Sequence, residues 1–142
     1  MTAENSRRKA REVVLQALYA LECGEVEADS TFSNILSETD LAPKSLEYAQ
    51  FLYPLVRAEM SWADQQISRL ARNWKLERIA TIDRCILRMA MVEITKSPTV
   101  PVRAVLNEAI ELAKTFSTPA SASFVNGILD SFAREVNQTT SR

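Results

Sequence analysis

Histidine is absent from this 142-residue chain, and glycine and cysteine occur only twice each. Without His, neither a Cys/His zinc site nor a His-based catalytic triad can be assembled. Two Gly are too few for a β-rich fold with many tight turns, so the composition points to an all-α protein. Cys23 and Cys85 are isolated and read as buried, reduced thiols. No apolar run approaches the roughly twenty residues that cross a bilayer, and the N-terminal TAENSRRKARE is not a signal peptide. Both favour a cytoplasmic protein with no membrane part. There is no Gly-rich phosphate loop and no nucleophile elbow. Glu108 and Glu111 are paired carboxylates at i,i+3, but the expected role is solvation of a polar helix face and a pair with Lys114. The chain reads as a non-enzyme without a cofactor.

The chain is 46% hydrophobic and 25% charged, which is ordinary for one globular domain with a core of its own. Its net charge of −1 hides an uneven distribution. Arg7, Arg8, Lys9 and Arg11 face a single acid, Glu4, in the first eleven residues. Residues 22–47 hold seven acids (Glu22, Glu25, Glu27, Asp29, Glu38, Asp40, Glu47) against Lys44 alone. Residues 57–103 turn basic again, with nine Lys/Arg to five Asp/Glu.

Start and stop signals predict about seven helices. The first opens near Asn5 or Ser6 and runs to Glu22, with Gly24 as its stop. An acidic loop covers 24–30, and a short helix covers Thr31 to Ser37. A third spans about 44–59, kinked or divided by Pro54. Ser61 and Asp64 have capping-box spacing and open a fourth helix that reaches Trp74. The fifth runs from Thr81 to Lys96. Pro101 lies early in the sixth, which ends near Phe116. Thr118-Pro119 starts the seventh, which runs to about Val136 before a polar tail. The fifth helix is apolar nearly all round except for a strip with Arg84 and Arg88, so neighbours should wrap it. The apolar faces of the sixth (Val102, Val105, Leu106, Ala109, Leu112, Ala113, Phe116) and the seventh (Phe124, Val125, Ile128, Leu129, Phe132, Val136) are suited to flank it. Asn126-Gly127 sits inside the seventh, where Gly costs about 1 kcal/mol against Ala. Gly127 reads as a place of close approach by another backbone or by RNA.

Two features point to binding. Cations oppose the dipole at a helix N-terminus, so Arg7, Arg8, Lys9 and Arg11 are poorly placed for local stability. Either they meet an anion such as RNA or DNA phosphate, or they form a solvated end. On the same helix Ala10, Val13, Val14, Ala17 and Leu21 define a buried face, and Tyr19 points about 160–180° away from it. Leu15 lies one turn before Tyr19, with Arg8 and Glu12 on that side. This Leu–Tyr pair is either a protein interface or packs inside the domain.

RRKAREVVLQALYALE, IDRCILRMAMVEI and VLNEAIELAKTFSTPASASFVNGILD, in that order and spacing, resemble the NusB family of bacterial transcription antitermination factors over nearly the whole chain. The resemblance implies one all-helical NusB-like domain of two small packed bundles, at about residues 6–60 and 61–137. It implies pairing with NusE, the ribosomal protein S-ten, and binding of single-stranded boxA RNA in nascent rRNA leaders. Other Nus factors and RNA polymerase complete the antitermination complex, and the family also allows a homodimer. Carried over by position, Arg7, Arg8, Lys9 and Arg11 face RNA, as do Thr118, Ala120, Ser121, Ser123 and Phe124 in and after the loop before the last helix. Tyr19 and Asp83 match positions that contact NusE, with Leu15 beside Tyr19. Ala120 stands where many relatives carry an acid, and Ser123 near a basic position, so this loop is smaller and less charged.

Single strands are bound by phosphate contacts and base stacking. With 7% aromatic residues, no rich stacking platform is expected. Weak RNA binding alone, tightened by NusE, follows as the expectation. The alternatives are a helical adaptor that binds protein only and the NusB-like module of an rRNA cytosine methyltransferase. The second needs a further catalytic domain, and the length suits a free-standing NusB better.

Overall fold

Helix is the only regular structure among the described residues of the computed structural model, which are 3–24 and 28–140 for the backbone and 6–24 and 30–137 for side chains. The order is α1 (Ala3–Glu22), α2 (Ala28–Glu38), α3 (Pro43–Ala58), α4 (Met60–Leu70), α5 (Thr81–Lys96), α6 (Val102–Phe116) and α7 (Pro119–Thr140). A 3₁₀ turn at Leu76–Arg78 precedes α5. The chain divides into two compact units, Met1–Leu55 and Val56–Arg142, with the division inside α3. The acidic Glu25, Glu27 and Asp29 and the polar end of the tail lie outside the residues with described side chains.

In the first unit α1 packs on α2, and Phe32 of α2 stacks on Tyr53 of α3 at 4.0 Å between ring centroids. Gly24 has a φ of +88°, the one positive φ among the described residues. Its N–H donates to the Leu21 carbonyl at 3.3 Å, and the Cys23 N–H donates to that of Tyr19 at 3.0 Å. This is the left-handed stop that glycine provides without strain. Several local expectations shift. Asn5 and Ser6 lie inside α1, not at its cap, and Ser6 is buried. Pro54 sits within α3 without dividing it. The break falls at Glu59, whose N–H reaches the Val56 carbonyl at 3.2 Å. Cys23 is exposed, so only Cys85 is the buried thiol expected.

The second unit is built around α5, which packs against α4, α6 and α7. Asp83 and every residue from Cys85 to Ile94 on it are buried. Each large apolar side chain so covered contributes about 1.5–3 kcal/mol relative to exposure. The predicted flanking by α6 and α7 is therefore observed. The predicted polar strip is not: Arg88 is 3% exposed. A buried guanidinium needs a counter-charge and satisfied donors. Arg88 Nε donates to Asp64 Oδ1 at 2.7 Å and Nη2 to Oδ2 at 3.0 Å. Ser61 and Asp64 form no capping box, because α4 starts after Glu59 and Ser61 already lies inside it, with no side-chain cap bond. α4 ends at Leu70, short of Trp74.

α4 also meets α7. Trp62 packs edge-on to Phe132 at 5.9 Å, and Arg69 makes a two-pronged contact with Glu135 at 2.7 and 2.8 Å. That hydrogen bond holds the Glu135 carboxyl below its ordinary range and raises Arg69 above its own. Glu108, expected on a solvated face, is buried, while Lys114 lies 3.7 Å from Glu111 as expected. Nothing lies within 4 Å of where a Cβ on Gly127 would stand. The expected approach of another backbone there is absent, because Gly127 is on the exposed face of α7. No helix among the described residues is long and apolar enough to cross a membrane.

Asp64→Ala removes the paired carboxylate from a buried guanidinium and is expected to cost about 3 kcal/mol in urea unfolding. Arg88→Met in the Asp64→Ala background should restore much of the loss. Because the folded state depresses the Glu135 carboxyl, its contribution is present above the unfolded carboxyl range and is lost as acid protonates the folded group. Glu135→Gln should therefore flatten the acid limb of a stability–pH curve measured by thermal melting.

Candidate nucleic-acid and partner interface

Projecting α1 at 100° per residue separates its side chains into two sectors. Ala10, Arg11, Val13, Val14, Leu15, Ala17 and Leu18 are all buried and cover about 200° of the helix. Arg8, Lys9, Glu12, Gln16 and Tyr19 are exposed and share the remaining arc. The buried face is thus twice corrected. Leu15 is 2% exposed, so it is core and not a surface partner of Tyr19. Arg11 is 1% exposed, so it cannot offer its guanidinium to a docked phosphate. A face inferred from Ala10, Val13, Val14, Ala17 and Leu21 is too narrow, because one helix projection does not reveal how many neighbours cover it. Tyr19 is 42% exposed, as its direction predicted.

The four bases therefore have three environments. Arg8 and Lys9 are exposed. Arg7 is half-buried, its Cζ 5.8 Å from the centroid of the Tyr48 ring. Arg11 lies inside. The usable cationic charge on α1 is on the arc that also carries Tyr19.

The other predicted residues lie in the second unit, and the fold joins several of them. A cleft of ≈ 200 Å³ has Ala120, Ser121 and Phe124 of α7 on one side and Asp83 of α5 on another. Trp74, Arg78, Ile79 and Ala80 complete its lining. Local chemistry sets these walls. Thr118 caps α7 by accepting the Ser121 N–H on its Oγ1 at 3.1 Å. Ser117 Oγ and Thr118 Oγ1 lie 2.9 and 3.2 Å from Ser121 Oγ, which engages all three hydroxyls within the loop. Thr118, Ala120 and Ser123 are exposed and Phe124 is half-buried. Asp83 is in the first turn of α5, where a carboxylate suits the helix dipole. It is 4% exposed, and its Oδ1 has no hydrogen-bond partner. A buried acceptor left open beside a cleft is a place for an incoming N–H donor.

Three residues were missed from sequence. Trp74 was assigned to the end of a helix, but it stands 54% exposed at the cleft. Tyr48 and Phe51, three apart on α3, have ring centroids 5.7 Å apart, and Phe51 is 44% exposed. Their helical spacing was legible; their exposure was not. Among the described residues Tyr19 and Phe51 of the first unit and Trp74 and Phe116 of the second all reach solvent. No group of three or more His, Cys, Asp or Glu suited to a metal occurs among the described residues.

The sequence model of the NusB family matches residues 8–134. The transcription antitermination protein NusB of Symbiobacterium thermophilum is 46% identical over 139 residues, covering 91% of this chain and 90% of that protein. Among solved structures, T. maritima NusB superposes with a TM-score of 0.83 at 35% identity, covering 91% of each chain. A chain from the crystal structure of antitermination factors NusB and NusE in complex with dsRNA also has a TM-score of 0.83. It is 20% identical, covers 92% of this chain and 98% of that one, and speaks for the fold alone.

The exposure contrast on α1 separates stability from surface charge. Arg11→Ala is expected to lower unfolding free energy by about 2 kcal/mol or more through lost buried packing and pairing, whereas Arg8→Ala should change it by less than about 0.5 kcal/mol. Paired urea titrations check both.

Proposed function

Because the chain belongs to the NusB family, we propose that it is a transcription antitermination factor that works by binding and not by catalysis. It pairs with NusE, the ribosomal protein S-ten, and holds the single-stranded boxA element of nascent rRNA leaders in the cytoplasm. Other Nus factors and RNA polymerase complete the assembly. The observation that carries this reading is the exposed arc of α1, which presents Arg8 and Lys9 near its start and Tyr19 about 15 Å further along. The solved complex of NusB and NusE with double-stranded RNA, whose NusB-fold chain this protein resembles in fold, supports the same classes of partner.

The roles divide by chemistry. Arg8 and Lys9 neutralise phosphates and supply affinity without reading sequence. Arg7 serves the same surface from its place over Tyr48. Arg11 acts from inside α1, as a structural residue that fixes the helix carrying the others. Thr118, Ala120, Ser121, Ser123 and Phe124 form the RNA-facing loop and cleft wall, which offers small polar and apolar contacts and no charge. Tyr19 gives NusE an amphipathic ring, apolar across its face with a hydroxyl at its tip. Asp83 gives NusE a carboxylate oxygen ready to accept an N–H donor. Leu15 supports Tyr19 through the core and does not touch the partner.

A chain with two exposed bases on this arc and a neutral loop binds RNA weakly alone, and NusE extends the surface. In mobility shifts with a boxA-like RNA and a scrambled control, NusE should tighten binding and increase the preference for boxA. Unchanged RNA affinity on adding NusE would rule out a shared surface, and NusE binding without any RNA binding would identify a protein-only adaptor. Arg8→Ala should lower the slope of log K against log salt by about 0.7, the loss of one single-strand phosphate contact. Tyr19→Ala should weaken NusE binding while leaving the fold intact.

A further inference from the structure

Tyr48 and Phe51 make an aromatic pair on α3, with ring centroids 5.7 Å apart and planes inclined at 37°. Phe51 is 44% exposed, and Tyr48 is half-buried beneath the Arg7 guanidinium, 5.8 Å from its centroid. All three lie in the first unit. A single exposed Phe needs no explanation. Here it continues into a second ring and a guanidinium, and the next two residues of α1, Arg8 and Lys9, are exposed cations.

We propose that Arg7, Tyr48 and Phe51 form a stacking platform for unpaired bases of single-stranded RNA, with Arg8, about 100° round α1 from Arg7, taking an adjoining phosphate. The inference rests on the RNA-binding reading above and adds to it a second mode of contact. Aromatic rings and guanidinium planes both stack on bases, and every base offers a flat face. Contact with Tyr48 holds the Arg7 plane in place, which reduces the freedom lost when a base arrives. Charge selects the occupant. A second copy of this chain would bring Arg8 and Lys9 against their own kind, whereas an RNA strand neutralises them and releases counterions. Glu47 is exposed on the same side of α3 as Tyr48 and Phe51, with Lys44 one turn before it. That acid repels phosphate, so the RNA backbone runs on the α1 side and its bases lie toward α3.

Such a platform supplies affinity and not discrimination, because it contacts base faces and leaves their edges unread. The test uses the full chain with NusE, a boxA-like RNA and a scrambled RNA, over a salt series. Phe51→Ala and Phe51→Leu should each weaken both RNAs by the same factor, about fivefold or more. The boxA preference and the salt slope should stay unchanged, and Phe51→Trp should bind as tightly as the unaltered chain. Circular dichroism melts of these surface variants verify that they fold. If Phe51→Ala and Phe51→Leu bind both RNAs within twofold of the unaltered chain, the platform is overturned and the antitermination reading stands. If they change only the oligomeric state in light scattering, the face belongs to a second copy and the stacking proposal falls. If the unaltered chain binds neither RNA with NusE present, the RNA-binding reading and the platform fail together.

Discussion

A helix buried around its whole circumference must satisfy every charge it carries inside the protein. α5 carries Asp83, Arg88 and Glu93 into the interior, and only Asp83 Oδ1 among their carboxylate and guanidinium atoms is left open, at the cleft. Leaving Arg88 alone in the interior would cost several kcal/mol, so its guanidinium is gripped by both oxygens of Asp64. That pair fixes the register of α4 on α5. The orientation of α4 then brings Trp62 to Phe132 and Arg69 to Glu135 on α7. The α5 start and the α7 start frame the cleft that holds Asp83, Trp74 and Phe124. The binding geometry of the second unit thus descends from the burial of one helix.

The same competition between burial and charge apportions the basic cluster of α1. Four cations in five positions look equivalent on paper. Once about 200° of the helix is covered, Arg11 is withdrawn into the interior, Arg7 is drawn over an aromatic ring, and Arg8 and Lys9 stay exposed. A buried arginine is a stability element, and an exposed one presents its charge at the surface. Those roles respond differently to salt, since screening reaches only charges that solvent reaches. The first unit also carries an exposed ring, Phe51, on α3.

Element existence was legible because it rests on local signals. α5 was read with the bounds it has, as was the Thr118 cap of α7, since Thr-Pro before a helix has a direct steric and hydrogen-bonding cause. Gly24 as the stop of α1 follows equally from its freedom at positive φ. Pro54 was misjudged as a divider. A proline removes one hydrogen bond, and surrounding packing can carry a helix past it. Ser61 and Asp64 had the spacing of a capping box, but α4 begins one residue before Ser61, and Asp64 serves the buried Arg88 instead. Glu108 and Leu15 were placed on the wrong faces for a shared reason: amphipathic projection assumes one covered side, and both helices are covered on more than one.

By itself the sequence determined the all-α class, the order of the helices, the central place of α5 and membership of the NusB family, because periodicity, caps and ordered motifs are properties of the chain's local chemistry. It also gave the outward direction of Tyr19, which is exposed. Only the tertiary structure decided which of the neighbouring bases reach solvent, that Asp64 belongs to Arg88, that Asp83 and Phe124 share one cleft, and that Arg7 lies over Tyr48 with Phe51 exposed next to it. Those outcomes depend on what covers each helix from outside. Residues far apart in sequence supply that cover, and no local pattern encodes it.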